Sequence, residues 1–103
     1  MIVTTQERVE NRTISQTLGV VSGQSIRARH VGKDILASFR NLVGGEITEY
    51  SKLMAESREQ AMDRMKANAT ELGADAIVGV RFTTSMLQQG ASEIFIYGTA
   101  VKL

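Results

Sequence analysis

The chain has 103 residues, no cysteine and no proline, 43% hydrophobic and 22% charged residues, and a formal net charge of +1. This is the composition of an ordinary folded single domain; it excludes a disulfide scaffold, a thiolate metal centre and a cysteine nucleophile, and it supplies no strong field for nucleic acid or anionic lipid. No apolar run approaches the ~20 residues of a membrane-spanning helix and no leader-like segment opens the chain, so it reads as cytoplasmic, neither secreted nor membrane-inserted.

In chain order, "MIVTT" places a short β-branched run at Ile2 to Thr5, followed by a polar loop, "QERVENRTIS". A strand is predicted from about Thr17 to Ile26. Next, "VGKDILASFRNLVGG" sets Ile35, Leu36, Phe39, Leu42 and Val43 at the spacing of one apolar helix face, stopped by Gly44 and Gly45. The strongest helix signal is the segment from Ile47 to Gly73, where Lys52, Glu56, Glu59, Asp63, Lys66 and Thr70 form a polar stripe. Tyr50, Met54, Ala61, Met65 and Leu72 lie opposite, with Thr48 as N-cap and Gly73 as the terminal glycine of a helix of about six turns. The methionines Met54, Met62 and Met65 on or near this apolar side read as core.

The last third reads as a hairpin: a strand from Asp75 to about Met86, a polar turn at "LQQGAS", and a return strand from Glu93 to Val101. On the return strand Glu93, Phe95, Tyr97, Thr99 and Val101 share one face and Ile94, Ile96, Gly98 and Ala100 the other. Both faces are largely apolar. Such a strand needs two covers, one from its own helix and a second that another subunit could supply. Gly19, Gly79 and Gly98 each interrupt a predicted strand, which marks a bulge, a bend or a close approach of other backbone. The expectation is close packing, most firmly at Gly79 and Gly98.

Chemistry-bearing patterns are sparse. The run "RARHVGK" clusters Arg27, Arg29, His30 and Lys33, but without interleaved aromatic residues for base stacking, so it reads as a solvated strand end and no nucleic-acid partner is expected. The glycines fit neither a dinucleotide-binding fingerprint nor a phosphate loop. Glu46 and Glu49, or Glu56, Glu59 and Asp63, are paired only as carboxylates on helix surfaces often are, with no histidine, lysine or serine arranged as partner. No catalytic constellation, no cofactor site and no single-chain metal site follows. His30 is the one histidine, four residues before Asp34, and would meet further imidazoles only if copies of the chain converged on an axis.

The segments "MIVTT", "LGVVSGQSI", the helix running into "LVGG", "ELGADAIVGVRF" and the terminal "GTAVKL" resemble, in order and spacing, the YbjQ-like family of small bacterial proteins of unknown function. The resemblance spans residues 1–103 as one domain. It implies an α+β subunit of mainly antiparallel strands with one short and one long amphipathic helix, whose strands join those of neighbours in a ring, a homopentamer. It also brings a heavy-metal-binding label and no catalytic motif. The resulting expectation is a homo-oligomeric structural or binding module; the alternative is a carrier or sensor holding a metal ion or small anion between subunits.

Overall fold

Four strands and one long helix make up the described residues, which are 1–28, 46–88 and 91–103 of the computed structural model. In chain order they are β1 (Ile2–Val3), β2 (Gln16–Ala28), α1 (Glu46–Glu71), β3 (Ala76–Gln88) and β4 (Ala91–Lys102). The sheet order is β1-β3-β4-β2. β4 runs antiparallel to both neighbours while β1 lies parallel to β3, so the α+β sheet is mixed, with a single short parallel pair. The shorter helix expected around Ile35 to Val43, its glycine stop, and Arg29, His30, Lys33 and Asp34 lie outside the described residues, which contain one α-helix.

α1 spans 26 residues, roughly seven turns rather than six, and already runs from Glu46. Thr48 is therefore inside its first turn and is not the N-cap. The C-terminal end agrees with the sequence: Gly73 has φ +79°, its N–H donates to the Thr70 carbonyl at 2.9 Å, and the Ala74 N–H donates to the Ala69 carbonyl at 3.1 Å. This crossed pair satisfies two orphan carbonyls and needs a residue at ease in the left-handed region. Leu72, expected on the buried face, sits beyond the last turn and is exposed.

The helix meets the sheet along a narrow seam of Ser57, Ala61, Met65 and Ala69, all buried and spaced four apart. Against it lie Val21 of β2, Ile94, Ile96 and Ala100 of β4, and Ile77 and Val80 of β3, with Met54 and Met62 packed at the margin. Three of the four seam residues are small, which brings the helix axis close to the sheet and limits how many strands it can cover. On the opposite face a second cluster joins Val9, Ala76, Val78 and Val101, flanked by Ile14 and Leu103. The second cover expected over β4 is thus supplied, at the Val101 end, by the chain's own segment between β1 and β2.

The strand glycines divide into two kinds. Gly79 has φ +62° and open space where a Cβ would be. Its expected role in close packing is corrected: the pairing of β3 with β4 jumps from Val78↔Thr99 to Arg81↔Tyr97, so Gly79 and Val80 together oppose Gly98, a β-bulge whose first residue is left-handed. Gly19 is likewise unconfined, with φ +131° where the β2 register slips between Thr17 and Gly19. Gly98 behaves as expected, because a Cβ there would lie 2.7 Å from Ile77 Cγ2 and 3.1 Å from the Val78 carbonyl oxygen.

The tightest glycine is Gly23. A Cβ on it would collide with the carbonyl oxygen of Ala61 and lie 2.6 Å from the backbone nitrogen of Met65. The helix backbone rests directly on β2 at this point.

Candidate functional site

Among the described residues, side chains that could carry chemistry do not converge. Glu56, Glu59 and Asp63 are all exposed on the solvent side of α1, and Glu46 and Glu49 lie in its first turn. Arg27 is on β2 opposite Ser92, and the remainder of the basic run falls outside the described residues. Among the described residues no three histidine, cysteine, aspartate or glutamate side chains come together as a metal would require. With no cysteine and one histidine in the whole chain, and with Met65 enclosed in the core and Met54 and Met62 packed against it, the donors of a single subunit fit poorly a soft heavy-metal ion, which selects thiolate, thioether and several imidazoles. No helix among the described residues is long and apolar enough to cross a membrane.

One polar cluster is buried between helix and sheet. Ser57 Oγ donates to Ser25 Oγ at 3.0 Å, and Ser25 Oγ donates to Gln60 Oε1 at 2.7 Å. Both serines are fully enclosed, so each hydroxyl must be satisfied internally. The chain of bonds ties α1 to β2 through Ser57, Ser25 and Gln60.

What the molecule does present is uncovered apolar surface on its strands. On the face away from α1, Val20 is 77% exposed and Ile26 and Tyr97 are open, with Phe95 and Tyr97 in tilted contact at 5.7 Å between ring centroids. On the helix side α1 leaves the far part of β3 bare, so Phe82 and Met86 are exposed although their cross-strand partners Ile96 and Ser92 point to the same face. β1 pairs only with Ala76 and Ile77, and the free edge of β3 begins past the bulge that follows. The bulge turns two successive N–H groups outward, from Gly79 to the Gln6 carbonyl at 2.8 Å and from Val80 to the Thr4 carbonyl at 3.1 Å. Arg81 adds a bond from Nη1 to the Thr5 carbonyl at 3.0 Å.

The other outer strand, β2, is finished differently. Asn68 Nδ2 donates to the Ser22 carbonyl at 2.8 Å and Arg64 Nη1 to the Gln24 carbonyl at 2.6 Å. Ser22, Gly23, Gln24, Arg64, Ala67 and Asn68 line a shallow groove of about 420 Å³ along this edge. Sequence reasoning passed over Gly23, Arg64 and Asn68. The signal was present in the alternation Val21, Gly23, Ser25, which puts a glycine on the face that meets a helix seam of small residues.

The family model described as "Putative heavy-metal-binding" matches residues 1–103. The chain belongs to the YbjQ-like family. It is 52% identical over all 103 residues to a UPF0145 protein of Methanosarcina acetivorans, covering 97% of it, and 53% identical to one of Archaeoglobus fulgidus, covering 95%. A UPF0145 protein of Acinetobacter baylyi is 59% identical over 88 residues, 85% of this chain and 82% of that protein. The first two sources are archaea, so the family is wider than the bacterial proteins the resemblance suggested. In fold, the chain is similar to the crystal structure of a protein of unknown function of the DUF74 family from Pediococcus pentosaceus, with a TM-score of 0.69, 20% identity, and coverage of 100% of this chain and 97% of the other.

Proposed function

We propose that this member of the YbjQ-like family is a homo-oligomeric structural or binding module, a ring of five subunits whose work is done by surfaces that several copies build together. The observation that carries this reading is the bare apolar surface on the strands: Val20, Ile26, Phe82, Met86 and Tyr97 are all exposed on elements that are otherwise core-forming. They lie on opposite faces of the sheet, so with the free edge of β3 they make two different apolar patches, and in a ring each copy offers one patch to the next copy. Light scattering at micromolar protein should return a mass about five times 11.3 kDa. A monomer would overturn the proposal, and a tetramer or hexamer would defeat the number alone.

The family's description favours a second reading, a carrier or sensor that holds a metal ion or small anion between subunits. Only symmetry could supply enough nitrogen ligands, through copies of His30. Calorimetric titration of the metal-free protein with zinc, copper and cadmium at neutral pH is expected to give no sub-micromolar binding. Such binding at a fixed metal-to-subunit ratio, lost in His30→Ala, would make the carrier reading the leading one.

A further inference from the structure

The groove between α1 and β2 pairs two periodicities. Residues four apart on a helix are separated by about 6 Å along its axis, and residues two apart on a strand by about 6.6 to 6.8 Å. Arg64 and Asn68 are four apart on α1, Ser22 and Gln24 two apart on β2, and the helix and strand run in opposite directions, so Arg64 reaches Gln24 while Asn68 reaches Ser22. Both carbonyls face away from β4 on the outermost strand of the sheet. They are the acceptors that an incoming strand would need to dock along β2.

We propose that Arg64 and Asn68 are edge guards: by occupying the outward carbonyls of Ser22 and Gln24 they close the middle of β2 to strand addition from a second copy of this chain. The inference rests on the reading of the chain as a self-assembling module and adds which edge is denied to assembly. β3 has no counterpart, since no helix side chain donates to its edge among the bonds of the described residues and α1 barely reaches it. With one edge open and the other guarded, copies cannot add edge to edge along the full length of the sheet. Unguarded, a free β3 edge and a free β2 edge on every copy would add a second head-to-tail contact beside the one that builds the ring, and a contact whose rotation does not close grows into a filament. Neither guard is buried, and neither belongs to the seam that docks the helix.

The test is the double variant Arg64→Ala with Asn68→Ala, compared with the parent by light scattering and thioflavin fluorescence over a concentration series, with circular dichroism to confirm the fold. The parent should hold one mass, and the double variant should grow in mass with concentration and give a thioflavin response. Adding Gln24→Pro should restore the parent mass, because proline removes the outward N–H at the same edge without touching the β4 ladder. A folded double variant with the parent's mass would overturn the guard role, as would growth that Gln24→Pro fails to reverse. A lower melting temperature with unchanged mass would also overturn it, by assigning the two side chains to helix docking. These outcomes are separate from the mass of the parent, which alone decides the ring.

Discussion

At Gly23 the backbone of α1 lies against the backbone of β2, whereas at Gly79 the place a Cβ would take is open. The first glycine is required by what surrounds it, the second by its own dihedral angle. Within one sheet the same residue type answers two unrelated demands, and substitutions should tell them apart.

The largest effect is expected at Gly23→Ala. The atoms in the way belong to the helix backbone at Ala61 and Met65, which cannot rotate aside, so α1 must lift from β2 and disturb the Ser25–Ser57–Gln60 chain. The cost should reach or exceed the top of the usual ~1–3 kcal/mol for overpacking. Urea denaturation measures it, and an unchanged midpoint would mean that the helix does not rest on β2 as described.

The glycines of the bulge sharpen the contrast. Gly98→Ala forces a Cβ against Ile77 and Val80 side chains and should cost about 1–3 kcal/mol, with the loss partly relieved when Val80→Ala is added. Gly79→Ala should cost less, about 1–2 kcal/mol for the left-handed conformation, and the penalty should be insensitive to Val80. Gly79→Asn should be milder still and Gly79→Val more severe, the order set by tolerance of positive φ and not by volume. An order that followed side-chain size, with asparagine worse than alanine, would return Gly79 to the crowded class.

This contrast also marks what the residues disclose before folding. The hairpin of β3 and β4 and the end of α1 at Gly73 were legible because their signals are local: alternation in one case, a glycine after a polar-striped run in the other. Gly79 and Gly19 stand out in sequence as misplaced glycines, yet sequence does not separate a positive φ from a crowded site, so close packing is the expectation at Gly79 where a positive φ is the cause. Gly23 was overlooked because its reason lies in residues about forty positions later, on the small seam of α1. The capping role expected of Thr48 failed because helical hydrogen bonding extends upstream to Glu46. For the site, composition bears on donor supply: without cysteine and with a single histidine, one subunit offers few of the thiolate and imidazole ligands that a soft metal ion selects. The guards Arg64 and Asn68 were invisible because a polar residue on a helix face looks the same whether it meets water or a strand edge.

The strand order has a consequence for how the chain is made. β4 is central in the sheet and last of the four strands in sequence; β2 pairs with it from Gln16↔Lys102 onward, and β1 must wait for β3. During synthesis the first two strands therefore emerge long before any partner exists for them. α1 emerges in between, but its seam of alanine, serine and methionine has little to hold it without a sheet beneath. Nearly all the long-range contacts must then form together, late, once the hairpin is available. Such a topology folds slowly for its size and keeps β2 unpaired through the interval when nascent chains are most prone to associate.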